Sequence, residues 1–239
     1  MPAALGVLLI DNAERDLAGV PGLLAEAALA FRPGSADSPA SAETLVAALT
    51  SAQVRALTPN ATGIGALTGD RLAALSTAAV RALTTTQIGG LTSTLIQALD
   101  TTQTPALTST EVAALNTTQL KALTTTQIQS LSAAQVGVLT TGQLDSMTSL
   151  QLQALNDQQI GGLSTTQVAA LSTTDLNTLT ELQFQALSAT QIGAMTTAQV
   201  KNLEAADLAA LGATQVRAIS TAPAWSPWAS GRSARVIIS

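Results

Sequence analysis

The stretch Leu-Ser-Thr-Thr-Gln-Val-Ala-Ala-Leu, residues 163–171, contains one complete repeat unit and decides the fold of this chain. Outward from it in both directions, an apolar residue recurs at every eighth position from Leu67 to Ile219. A second apolar residue follows the first after five positions, as Val168 follows Leu163. Internal repetition of this kind determines the architecture of a whole chain, so the sequence is interpreted as an array of octads.

Each octad carries two signals that are typical of a helix start. The residue after the leading Leu is almost always Ser, Thr, Asp or Asn, and Gln or Glu usually follows three positions later. This spacing predicts a capping box, in which the cap side chain accepts an amide proton of the first turn and the Gln reaches back to the amide of the cap. The leading Leu and the second apolar residue then form a hydrophobic staple.

A single continuous helix does not fit a period of eight. At 100° per residue, the leading Leu would rotate by about 80° per octad and would never form one face. Helices of two turns are unstable alone in water, so they must pack on their neighbours. We therefore predict an all-α solenoid, or superhelix, with one short capped helix per octad. The small Ala before each Leu would allow close packing, and variable residues such as Lys121 and Asn177 would face solvent.

A β-solenoid is the alternative fold. Thr is common in strands, and Thr ladders suit a flat solenoid face. However, apolar spacings of five and three are both odd, so a plain strand would place successive apolar residues on opposite faces. The octads also lack a fixed Gly, Asn or Asp corner. The patterning favours the α-solenoid.

Representative octads give the candidate structural residues. The expected caps are Thr84, Gln87, Thr124, Gln127, Ser164, Gln167, Thr196 and Gln199. The expected core residues are Leu83, Ile88, Leu123, Ile128, Leu163, Val168, Met195 and Val200.

Changes of composition divide the chain into three segments. Residues 1–40 are interpreted as an N-terminal cap and linker, 41–220 as the octapeptide solenoid, and 221–239 as an atypical tail that contains Trp225 and Trp228. Two irregularities interrupt the array. Ten residues instead of eight separate Leu57 from Leu67, and Thr104–Pro105 places a polar residue and a proline where an apolar helix position is expected, which predicts a local kink.

Composition excludes most catalytic chemistry. The 239 residues include no Cys and no His, charged residues are 10%, and the formal net charge is −5. Disulfides, Cys or His metal sites and His-based acid–base catalysis are therefore impossible, and no base is available to activate the many hydroxyls. Glu204 and Asp207 are the nearest approach to a carboxylate pair, but they occupy capping positions. We expect no enzyme activity, no metal and no cofactor.

Charge and hydropathy also limit the partners. An acidic chain with scattered Lys and Arg lacks the basic patch that binding to nucleic acid requires, so none is expected. The apolar run Ala3–Ile10 is too short to insert into a membrane, and no basic residue precedes it as in a signal peptide. Self-association or binding to another protein stays open.

The runs Ala-Leu-Thr-Thr-Thr-Gln-Ile at 82–88 and 122–128 resemble octapeptide arrays of very large repetitive proteobacterial proteins. Those proteins are commonly labelled adhesins, haemagglutinins or haem-utilisation proteins and are often type I secreted. The resemblance covers about residues 41–220 and implies an extracellular or cell-surface location. The Gly/Asp-rich calcium repeats of such proteins are missing here. The expected function is a structural spacer or stalk, and the alternative is a solenoid scaffold that binds proteins or peptides.

Overall fold

The structure is a computed structural model that describes residues 46–57, 59 and 64–221. The segment 1–40 and nearly all of the tail 221–239 lie outside the described residues. Nineteen short α-helices lie wholly inside them, and no described residue belongs to a strand. The prediction of an all-α solenoid of short helices is confirmed, and the alternative of a β-solenoid is wrong for the described part of the chain.

The chain divides into two compact units, with the boundary between Ser130 and Leu131. The helices of the first unit are α1 (Ser51–Ala56), α2 (Gly69–Ala73), α3 (Thr77–Val80), α4 (Thr85–Gly90), α5 (Ser93–Ala98), α6 (Ser109–Ala113), α7 (Thr117–Ala122) and α8 (Thr125–Ser130). Two octads of this unit contain a 3₁₀ turn instead of an α-helix. These turns are Ile64–Ala66 and Thr104–Ala106.

The second unit contains eleven helices within the described residues. They are α9 (Ala133–Gly137), α10 (Thr141–Asp145), α11 (Ser149–Gln153), α12 (Asp157–Gly161), α13 (Thr165–Ala170), α14 (Thr173–Leu176), α15 (Glu181–Ala186), α16 (Ala189–Gly193), α17 (Thr197–Lys201), α18 (Ala205–Ala210) and α19 (Ala213–Thr221).

Extended residues separate the helix of one octad from the next, as on either side of α4. Thr84, the cap before α4, has φ −86° and ψ 157°, and Leu91, which follows α4, has φ −72° and ψ 138°. The Leu91 amide donates to the Ile88 carbonyl over 3.1 Å, which closes the last turn of α4. The leading Leu of an octad therefore ends one helix and precedes the cap of the next, so the chain turns once in every eight residues.

Within each unit, an octad packs mainly on the octad three places further along. In the second unit, α9 contacts α12, α12 contacts α15 and α15 contacts α18, while α10, α13, α16 and α19 form a parallel series. In the first unit, the 3₁₀ turn at 104–106 takes the place of a helix and packs on α3 and α8. The chain thus completes a superhelical turn in little more than three octads.

Both apolar positions of the octad form the core. From Val54 to Ile192, the side chains of the second apolar position are at most 1% exposed. The leading residues from Leu67 to Leu203 are at most 9% exposed. Of the expected core residues, all are buried except Val200, which is half-buried near the end of the described array.

Small residues before the leading Leu allow close packing between turns. A Cβ on Gly162 would lie 2.9 Å from the Ala133 Cβ and 3.0 Å from the Ala133 carbonyl oxygen. These distances are shorter than an ordinary van der Waals contact, so a larger residue at Gly162 would push α12 away from α9. The variable residue Lys121 is exposed as expected, whereas Asn177 is half-buried and donates to the Asn202 carbonyl over 2.9 Å.

The irregular octad at Thr104–Pro105 keeps its place in the array. Thr104 is fully buried at the second apolar position, and its hydroxyl donates to the Asp100 carbonyl over 2.8 Å. Proline lies at the start of the 3₁₀ turn, where its missing amide costs no hydrogen bond. The expected kink is therefore a short 3₁₀ turn whose one polar core side chain is satisfied.

Candidate functional site

The structural caps form reciprocal hydrogen bonds. In the octad of α4, the Thr84 hydroxyl accepts from the Gln87 amide over 3.2 Å, and the Gln87 side-chain oxygen accepts from the Thr84 amide over 2.8 Å. The same pair of bonds joins Thr124 with Gln127, Ser164 with Gln167, and Thr196 with Gln199. Each cap satisfies two amides that a helix start would otherwise leave without a partner.

The other end of the Gln side chain bonds to a different octad. The Nε2 group of Gln119, in α7, donates to the carbonyls of Ile88 and Leu91 over 2.7 Å each. These two carbonyls lie at the C-terminal end of α4, and the octad of α4 precedes that of α7 by four octads. Equivalent bonds, to carbonyls 31 and 28 residues earlier, are formed by Gln127, Gln167, Gln183, Gln191, Gln199 and Gln215.

One amide side chain thus caps two helices at once. It accepts at the N-terminus of its own helix and donates at the C-terminus of another, where unpaired carbonyls also need partners. The box glutamines are buried, with exposed fractions between 1% and 6% from Gln87 to Gln215. Burying a primary amide costs free energy unless its oxygen and both of its hydrogens form hydrogen bonds. In octads where Nε2 donates to two carbonyls, the oxygen and both hydrogens all have partners.

This second role of Gln is the functional feature that the sequence analysis missed. A capping box is satisfied by Glu as well as by Gln, because only an acceptor is needed. The octads nevertheless use Gln far more often than Glu. That bias is a signal that the NH₂ group is used as well as the oxygen, and it is visible in the sequence without any structure.

Glu111 takes the place of Gln in the octad of α6. It is 4% exposed, and its Oε2 accepts from the Thr108 amide over 2.6 Å. Burial raises the pKa of this carboxyl above its ordinary value, against the lowering effect of the Thr108 hydrogen bonds and of the charges on Arg81 and Arg55. The side chain therefore keeps the N-terminal half of the box and has no NH₂ group for the other half.

The pair Glu204 and Asp207 fulfils the capping expectation only in part. Glu204 precedes α18 but makes no side-chain cap bond, because its side chain is longer than the Ser, Thr or Asn that closes the first turn elsewhere. Asp207 is 5% exposed, bonds to the Glu204 amide, and has an Oδ2 atom without a hydrogen-bond partner. Burial is the main cause that raises the pKa of Asp207.

An open depression lies on the described surface of the first unit. It has a volume of about 470 Å³ and is lined by Thr77, Ala78, Arg81, Thr102, Pro105 and Ala106. The described residues include no cluster of three side chains that suits a metal ion. Among the helices of this part of the chain, none has the length and apolar character needed to cross a bilayer.

Two large apolar side chains stand out on the surface of the second unit. Leu150 is 69% exposed and Leu182 is 67% exposed. They occupy the same position of their octads, the residue before the box Gln, and are four octads apart. Most other octads have Thr, Ala or another small or polar residue there, so the leucines are a local departure from the repeat.

A family model described as the ALTTAQ repeat matches residues 64–101, 112–149, 141–173 and 168–205, which is more than half of the chain. The chain belongs to the ALTTAQ repeat family. The six letters correspond to the small residue before the Leu, the leading Leu, the cap, the first two helical residues and the box Gln. Between the first two matches of the ALTTAQ repeat lie residues 102–111, which include Thr104, Pro105 and Glu111. No curated protein and no solved structure matches the chain.

Proposed function

We propose that this array is a non-enzymatic structural module, a spacer or stalk within a bacterial surface or secreted adhesin-like protein. The observation that carries the proposal is the double cap made by the box Gln. The N-terminus of a helix finds its partners in the cap and the box Gln of its own octad, whereas the C-terminus and the apolar face find theirs in other octads of the same chain. An array of this kind presents few groups that chemistry could use, and its composition lacks histidine, the commonest catalytic base.

The contacts of an octad are also short in range. They reach octads three and four places away and no further in the series described above. Stability in such a system is approximately a sum of repeat terms and neighbour terms, so octads can be added without altering those already present. A spacer needs this property, because its length is then set by the number of repeats. The likeness to octapeptide arrays of large proteobacterial surface proteins supports the proposal that the array is part of a surface or secreted protein.

The test is to change the number of octads in register. Duplicating residues 139–170 inserts four octads, and a second duplication inserts eight. We expect the maximum dimension from small-angle X-ray scattering to rise by the same increment each time, with unchanged helical content per residue. A duplication of 141–170, which is two residues short of the register, serves as the control and should lose helix. Dimensions that stop growing with octad number would contradict the spacer.

A protein-binding scaffold is the second candidate, and Leu150 and Leu182 favour it. Both leucines are exposed at an octad position where most octads have a small or polar residue. Replacing both with Thr restores the usual residue of the octad and leaves the core untouched. If the surface mediates self-association, sedimentation velocity will show a concentration-dependent oligomer for the wild type and a monomer for the double variant. If both are monomers at every concentration, self-association through the two leucines is ruled out.

A further inference from the structure

The octad of α6 carries a buried acid at a position where most octads of the array use an amide. Gln119 and Gln127 donate to carbonyls 31 and 28 residues earlier, over 2.7–2.8 Å. For Glu111, the corresponding carbonyls belong to Val80, the last residue of α3, and to Leu83. Glu111 is as deeply buried as its Gln counterparts, since 4% of it is exposed and 2% of Gln119.

An ionised carboxylate is unsuited to this position. Both of its oxygens are acceptors, and the carbonyls that end a helix are acceptors too, at the negative end of the helix dipole. A protonated carboxyl has one oxygen that accepts and one O–H that donates, which reproduces the hydrogen-bonding pattern of Gln. One of its oxygens already accepts from the Thr108 amide over 2.6 Å. In register with Gln119 and Gln127, the other oxygen takes the place of Nε2, so the proton belongs on that oxygen.

The charged groups around Glu111 act in the opposite direction from burial. Arg81 follows α3, Arg55 lies in α1, and both favour the carboxylate. The helix α4 also packs on α6 and carries no ionisable side chain between Thr85 and Gly90. The remaining residues of α6 are uncharged. Desolvation is the largest influence on this carboxyl, ahead of the hydrogen bonds from Thr108 and the two arginines.

We propose that Glu111 is a proton-dependent link between α3 and α6. With a proton taken from solvent, its carboxyl donates a hydrogen bond to the carbonyl oxygens that end α3, as Nε2 of Gln does elsewhere. When the proton leaves, the bond is lost and the carboxylate repels those carbonyls. The link at Glu111 thus tightens on acidification, whereas the links made by Gln do not respond to pH.

The sign of the effect follows from linkage. The pKa of Glu111 is higher in the folded chain than in the unfolded chain, so the folded state binds the proton more tightly. The stabilisation is complete below the unfolded pKa and is lost as pH rises through the folded pKa. Asp100, in the same unit, makes stability change with pH in the opposite direction. Its pKa is lowered, and the hydrogen bond from the Thr102 hydroxyl is the largest cause. A comparison with Glu111→Gln, in which Asp100 is unchanged, separates the two.

The decisive experiment compares the full chain with its Glu111→Gln and Gln119→Glu variants in urea, at pH 7 and at pH 4. Gln is the usual residue of the octad, so Glu111→Gln should fold. At pH 7 we expect its unfolding constant to be about tenfold smaller than that of the wild type, as a buried hydrogen bond is regained. At pH 4 the difference should shrink. Gln119→Glu should show the opposite change, with a penalty at pH 7 that diminishes at pH 4.

A direct readout comes from carboxyl ¹³C resonances of a chain labelled at Glu. The resonance that disappears in Glu111→Gln should titrate at higher pH than the side chain of Glu in an unfolded peptide. Titration of Glu111 at the pH of the unfolded peptide would overturn the proposal. So would a ratio of unfolding constants between wild type and Glu111→Gln that is the same at pH 7 and pH 4.

Discussion

At the scale of the residue, the side chain of Gln determines how this array is held together. Ser, Thr and Asn serve equally as caps, since each offers one oxygen to the first turn. The box residue is more restricted, because it must accept from one helix and donate to another. Glu meets the first requirement and fails the second when ionised. The spacing of residues in the sequence predicts the capping box. The partners of Nε2 lie 28 to 31 residues away, so a pattern within one octad cannot predict them.

Removing a box Gln should therefore cost more than removing its cap. Gln127 accepts from the Thr124 amide and donates to the carbonyls of Ile96 and Leu99. We expect Gln127→Ala to lower the free energy of unfolding by about 2–4 kcal/mol, because several buried groups lose partners, and Thr124→Ala by about 1 kcal/mol. Urea unfolding followed by circular dichroism measures both. Gln129→Ala, at an exposed position, is the control, and an equal loss there would contradict the double cap.

At the scale of the element, length and spacing of the helices follow from the octad, while their close contacts do not. The cap fixes where a helix begins, and the next leading Leu fixes where it ends, so the bounds could be predicted from the sequence. The half-buried Asn177 could not, because it depends on Asn202, which tertiary packing brings near. The missing cap at Glu204 is instead a local consequence of its longer side chain. The 3₁₀ turn at Thr104–Ala106 was visible only as an irregularity.

The adjacent glycines of α4 offer a matched test of close packing. A Cβ on Gly89 would meet nothing within 4 Å, whereas a Cβ on Gly90 would lie too close to the backbone oxygen of Pro59. We expect Gly89→Ala to stabilise the chain by about 0.5–1 kcal/mol through helix propensity. Gly90→Ala should destabilise it by about 2 kcal/mol or more, because the new methyl group would collide with the backbone of Pro59, which cannot move aside as a flexible side chain could. Thermal unfolding distinguishes them, and two variants of equal stability would show that the contact with Pro59 is not formed.

At the scale of the whole molecule, the period of eight predicted a solenoid but not the number of octads per turn. That number depends on how far each helix rotates relative to the last, which no single octad encodes. The packing of octads three apart and the Gln bonds four octads back determine it within each unit. Leu208 and Val216, which are 44% and 50% exposed, depart from the burial of the second apolar position in the earlier octads.

The array should tolerate deletions in steps of eight residues and no other length. Removing residues 155–162 leaves every later cap, Leu and Gln in phase, so Gln183 can meet the carbonyls of Leu144 and Met147 in place of Leu152 and Leu155. Removing only residues 155–158 deletes less of the chain but places apolar residues at capping positions. We expect the octad deletion to retain the helical circular dichroism signal per residue and a single unfolding transition, with a modest loss of stability. The four-residue deletion should lose helix around the junction and unfold at lower urea concentration. If the shorter deletion were the better tolerated, the stacking of octads in register would not be the source of stability.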